Sequence, residues 1–218
     1  MQIEEIGDRN YFSIVYQIID TNDEDDYTDE VKHKWWYGHL CFYAHNLTIG
    51  RYEEWTSLIV VRNYLKDFLE NHKCRFVDED LYNQSNEMIF DILYEQFYGR
   101  VQENFNLDTK KYNIDHYDKV RDNFHLDEVG EDAFRDKFGV ILLNSKKQKK
   151  QKLIWKNFKT GELFCTQFEE FCVDEILSSF YDNLSKVLRP AQTAMSRHLR
   201  QAVPTLAASG GQCNGTPK

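Results

Sequence analysis

No stretch of this chain approaches the roughly 18 consecutive apolar residues that a membrane-spanning helix needs. Its first ten residues, MQIEEIGDRN, are acidic and broken rather than basic and then apolar, so they do not read as a secretory leader. Cysteine is odd in number and scattered, at Cys41, Cys74, Cys165, Cys172 and Cys213, which argues against a disulfide framework and for a reducing cytoplasm. The phosphate cradles GxGxxG and GxxxxGKS are missing, as are the nucleophile elbow GxSxG and the zinc signature HExxH. Acidic residues stop at Asp182, beyond which the only charged side chains are Lys186, Arg189, Arg197, Arg200 and Lys218.

That last absence concentrates negative charge in the body of the chain. The whole protein stands at −9, but residues 1–182 hold 36 acidic against 22 basic side chains, a net of −14. Such a body repels nucleic-acid and membrane phosphates and attracts basic proteins, with an encounter rate that falls as salt rises. A composition of 41% hydrophobic and 15% aromatic residues supports a packed core, and 29% charged residues support a solvated exterior.

YFSIVYQII alternates Phe12, Ile14, Tyr16 and Ile18 against Ser13, Val15 and Gln17, the period of a strand. Residues 20–30 hold seven acids in eleven and read as a solvated loop. HLCFYAHN predicts a second strand, with a turn near His45 and Asn46 leading into LTIGRY as a hairpin. Thr56 or Ser57 caps a helix whose apolar stripe is Val61, Tyr64, Leu65, Phe68 and Leu69, and a second helix is expected over 85–98. Residues 104–129 are irregular, and a brief helix follows over 131–138. GVILLN, LIWKNF and ELFCTQF then predict a three-stranded antiparallel meander, with SKKQKKQK as a solvated hairpin loop and Trp155 in the core. A last helix is expected from about Val173 to Val187. The resulting expectation is an α+β fold, with an antiparallel sheet of about five to six strands and three or more helices packed against it. Residues 1–188 form one domain in this reading, and the Ala-, Ser- and Gly-rich basic stretch 189–218 is a mobile extension.

His39, Cys41 and His45 are residue types that zinc accepts. On a straight strand, however, His39 and His45 would lie about 20 Å apart at about 3.3 Å per residue. Cys165 and Cys172 sit among Phe164, Phe168 and Phe171, where buried inert thiols are the usual outcome. The rings of Trp35, Trp36 and Tyr37 suit either a core or an interface.

GDRNYFSIVYQI, the WWYGHLCFYAHNLTIGRYEE block with its W-x-G core, and LIWKNFKTGELFCTQFEEFCVDEILSSFYDNL together resemble the immunity protein 42 family, found beside polymorphic toxin genes in bacteria. The resemblance runs from about Gly7 to Leu184 and implies an α+β cytoplasmic antidote with no activity of its own, which binds one toxin domain. It also implies that Trp36, Gly38 and Gly50 are framework residues. Acid excess, the missing catalytic motifs and this likeness point to an antitoxin for a basic nuclease domain, with no cofactor, no direct nucleic-acid contact and no membrane. Partner contact is expected from Asp23, Glu24, Asp25, Asp26, Asp78, Glu79 and Asp80, with Trp35 and Tyr37 as anchors. The competing readings are a small metal-assisted hydrolase using His39, Cys41 and His45, or an acidic adaptor.

Overall fold

The computed structural model describes residues 2–20, 36–95, 112, 114–134 and 137–201. The expected acidic loop, its carboxylates Asp23, Glu24, Asp25 and Asp26, and Trp35 lie outside the described residues.

Sheet A joins β1 (Ile3–Asp8), β2 (Phe12–Asp20), β3 (Trp36–Ala44) and β4 (Leu47–Ile49) in that order, with β5 (Trp55–Ser57) also paired to β3. All its pairings are antiparallel, and β4 and β5 share one edge of β3 while β2 runs along the other. The β3–β4 turn places His45 at φ 48° and Asn46 at φ 62°. Two successive left-handed residues make the tight hairpin that follows the natural strand twist. Its amides are fixed from outside, His45 N donating to Tyr11 O at 3.1 Å and Asn46 N to Arg9 O at 2.7 Å.

Helix α1 (Leu58–Glu70) follows without a break. Ser57 is its N-cap but its side chain accepts no capping hydrogen bond, and Thr56 is instead a buried strand residue. β6 (Phe76–Val77) leads to the short helices α2 (Glu79–Tyr82) and α3 (Asn86–Phe90), the latter capped by Ser85 Oγ, which accepts from Met88 N at 3.2 Å. A π-helical turn, Asp91–Glu95, extends α3 and buries Ile92, Leu93, Tyr94 and Glu95 consecutively, which an ordinary helical stripe does not do. α4 (Ile114–Val120) is also short, in keeping with the irregular sequence there, and α5 (Glu131–Phe134) is the start of the brief helix expected over 131–138, of which Phe138 already belongs to the next strand.

Sheet B has the order β6, β7 (Phe138–Ser145), β8 (Lys150–Asn157) and β9 (Leu163–Glu169). β6 and β7 are parallel; the rest is the expected antiparallel meander. The described residues thus hold sheet A, the expected antiparallel sheet with five strands, and a second sheet beside it. GVILLN is continuously apolar because sheet B is covered on both sides. Val140, Leu142, Leu153 and Trp155 join the first core with the inner face of sheet A, α1 and α6 (Cys172–Gln201), whereas Ile141, Leu143 and Ile154 join a second core under α2, α3 and Tyr117. Helix α6 runs past the expected end at Val187 and through Pro190 to Gln201; Leu188, fully buried, is the last of its side chains described.

The loop assigned to SKKQKKQK is shorter than expected. Only residues 146–149 turn; Lys150, Gln151 and Lys152 are strand, and Gln151 and Lys152 are buried. The eight residues of β7 need eight opposite them, and Asn144 pairs with Gln151. Lys152 buries its stem under sheet B, where Nζ donates to Tyr82 O at 2.6 Å and lies 4.4 Å from the Tyr82 ring centroid. Burial pulls its pKa down.

Candidate binding surface

Alternation along β3 sends Trp36, Gly38, Leu40, Phe42 and Ala44 inward and Tyr37, His39, Cys41 and Tyr43 outward. The inner face has no room to spare. A Cβ on Gly38 would stand 2.1 Å from the carbonyl oxygen of Gln17 on β2, so a side chain there would part the two strands. Gly50, at φ +97°, turns the chain beside the Phe134 ring, where a Cβ would stand 2.6 Å away. Trp36 and Trp155 are buried in the same core.

None of the outward-facing side chains belongs to either core. At one end of this outer face the protein covers itself. The Arg9 guanidinium lies 4.2 Å from the Tyr43 ring centroid and donates to Glu5 at 2.8 Å, and Glu5 also accepts from Ser13 Oγ at 2.8 Å. The other end is an array of rings. His39 lies 5.4 Å from Tyr52 and 5.7 Å from Trp55, and Tyr37 lies 6.2 Å from Trp55. Trp55 is 49% exposed, high for the residue type that buries the most area. His39 Nδ1 is 3.2 Å from the Glu54 carbonyl oxygen, which can only accept, so Nδ1 carries the proton. Sequence reasoning singled out Tyr37 and His39 here but missed Tyr52, which follows Gly50 and Arg51 in the short connection to β5, and Trp55, which follows Glu53 and Glu54 and opens β5.

The candidate metal ligands are not brought together. Cys41 is fully buried, and burial pushes its thiol up to about 11, which keeps it protonated and poorly ligating. His45 turns away to sheet B, with Nε2 2.5 Å from Thr166 Oγ1 and its ring stacked on Phe168. Among the described residues no three His, Cys, Asp or Glu side chains are arranged to hold a metal ion.

Asp78, Glu79 and Asp80 line an open cleft of about 300 Å³ with Leu81 and Tyr112. The three acids are not equivalent. Asp78 and Asp80 are exposed, whereas Glu79 is a clasp for the β7–β8 turn. It accepts from Ser145 Oγ, from Lys147 N at 3.2 Å and from Gln148 Nε2 at 3.0 Å, and the Ser145 bond holds its carboxyl below the ordinary range. The cleft therefore sits against the lysine-bearing turn 146–149, where positive charge offsets its acids.

The family model for immunity protein 42 matches residues 1–183. The chain belongs to the immunity protein 42 family. No curated protein and no solved structure gives a significant match. Membership makes the chain an immunity protein and implies a cognate toxin as its partner. For this immunity 42 chain, the matched span takes in sheet A, sheet B and the part of α6 up to Asn183. No helix among the described residues is long and apolar enough to cross a membrane.

Proposed function

We propose that this immunity protein binds the domain of a basic nuclease toxin in the bacterial cytoplasm and blocks its active site by occlusion, without catalysis of its own. The observation that carries the reading is charge: on an immunity-family chain, residues 1–182 stand at −14. Nuclease clefts are basic because they hold phosphates, and an inhibitor with carboxylates in those places competes for the same cations. Asp23, Glu24, Asp25 and Asp26, with the exposed Asp78 and Asp80, steer the encounter; the proposal gives Glu79 a structural part through the turn it clasps. Residues 1–188 are taken as the binding body, and 189–218 have no part in it.

The test uses the toxin domain encoded by the neighbouring reading frame, purified and titrated with this protein in a nuclease assay. Inhibition at one-to-one stoichiometry is expected, with an association rate that drops at least tenfold between about 50 and 500 mM salt. Absence of binding at every ionic strength would refute the proposal.

A further inference from the structure

The open end of sheet A's outer face meets two conditions that no other surface of the described residues meets together. It is apolar and preordered: the four rings of Tyr37, His39, Tyr52 and Trp55 already touch one another, so a partner would bury them with little loss of side-chain freedom. It is uncovered, with Trp55 half exposed and none of the four side chains in either core, while the opposite end of the same face is closed by Arg9 and Glu5.

It also belongs to a body whose residues 1–182 stand at −14. Beside the rings, Glu54 is paired with Lys137 at 2.6 Å and Arg51 at 3.7 Å, and Glu53, between Tyr52 and Trp55, is exposed. The Asp78–Asp80 cleft has acids but adjoins the lysine turn, and the exposed Val60 of α1 and Tyr11 of the β1–β2 turn lack the ring array.

We infer that the toxin docks on this end of sheet A, with Trp55 and Tyr37 as anchors on a floor of His39 and Tyr52, and that the surface it presents there is basic. The inference rests on the reading of the chain as a toxin inhibitor. Trp and Tyr dominate the energetics of interfaces because a large rigid ring is desolvated at small entropic cost. The proton on His39 Nδ1 leaves Nε2 as the acceptor on that ring, matched to a lysine, arginine or backbone donor of the partner.

The experiment measures binding kinetics of the same toxin domain to wild type, Trp55→Ala, Tyr37→Ala and Val60→Ala, each checked for fold by circular dichroism. Trp55→Ala is expected to weaken binding by about 30-fold or more and Tyr37→Ala by about tenfold, mainly through faster dissociation, with Val60→Ala unchanged. Hydroxyl-radical footprinting of the wild-type complex supplies a readout that needs no variant: Trp55 and Tyr37 lose reactivity on binding. Wild-type binding that both variants retain within threefold, or full reactivity of Trp55 in the complex, overturns the inference and leaves the inhibitor reading standing. Sedimentation of the free protein as a dimer that Trp55→Ala dissociates would assign the face to a second copy and also overturn it. A wild type that does not bind the toxin at all refutes the inhibitor reading instead.

Discussion

Asp174→Ala is expected to be among the most damaging single substitutions in the protein, because it strands a charge that cannot leave. Arg75 is fully buried. Its Nη1 donates to Phe68 O at 2.6 Å, its Nη2 to Asp174, and its guanidinium lies 4.2 Å from the Phe68 ring centroid; Nε has no partner among the described residues. Gln151 completes the clasp, with Nε2 donating to Asp174 and, at 3.0 Å, to Asn144 Oδ1, while its Oε1 accepts from Val173 N at 2.8 Å. One network thus ties the end of α1 to β7, β8 and the start of α6. Removing one partner of a buried pair costs about 3–5 kcal/mol, and at an m-value of about 3 kcal/mol/M the urea midpoint would fall by roughly 1–1.7 M. Arg75→Met should cost less. Burial already raises the Asp174 pKa against the pull of Arg75, so the carboxyl left behind can take a proton, whereas a guanidinium cannot release one. The double variant Arg75→Met/Asp174→Ala should be milder than the sum of the singles by about 2 kcal/mol, within the range for groups in contact. Equilibrium urea unfolding of the four proteins measures all three quantities. Additivity within about 0.5 kcal/mol, or a cost below about 1 kcal/mol for Asp174→Ala, would refute the reasoning.

Asp127 is buried and accepts from Tyr94 Oη at 2.8 Å and Val140 N at 3.2 Å, and burial raises its pKa from 3.8 to about 7. The folded state therefore holds a proton that the unfolded chain releases above about pH 4, so this contribution to stability is full below pH 4 and is lost as pH rises to about 7, by about 4 kcal/mol in all. Neighbouring His125, pulled down by burial, titrates with the opposite sign, so the measurement is the difference between Asp127→Asn and wild type across pH 4–8; a constant difference would contradict the assignment. Gly38→Ala should cost at least about 3 kcal/mol or abolish folding, because its Cβ meets backbone. Gly161→Ala, at φ +76° with nothing within 4 Å, should cost only about 1–2 kcal/mol, and equal urea midpoints for the two would show that β2 and β3 part easily.

What the sequence made legible was what one periodicity or one turn rule controls. β2, β3, the β3–β4 hairpin, the stripe of α1, the meander and the buried Trp155 all followed from local pattern. β1 was not legible. It is an edge strand whose Glu4, Glu5 and Asp8 face solvent, so its alternation carries almost no hydrophobic contrast, and it holds its place partly through Tyr16 Oη bonding to Glu4. The split into two sheets was hidden for a related reason. An apolar run such as GVILLN announces burial on both faces but does not say which layer supplies the second one.

The lysine tract shows how far composition can mislead about a surface. KKQKKQK reads as uniformly solvated, yet antiparallel register carries its second half into the sheet. There, Gln151 anchors the Arg75–Asp174 clasp and Lys152 spreads over Tyr82. The four residues left at the turn are held beside Asp78–Asp80 through Glu79, which accepts from Lys147 N and Gln148 Nε2, so the most obvious acidic run in the described part of the chain has lysines next to it. At sheet A the rings of Tyr37, His39, Tyr52 and Trp55 have the exposed Glu53 beside them, while Glu54 is paired with Lys137 at 2.6 Å and Arg51 at 3.7 Å. A basic partner drawn in by the whole body would find desolvatable ring area there, because Coulomb steering brings molecules together while buried ring area is what slows their separation.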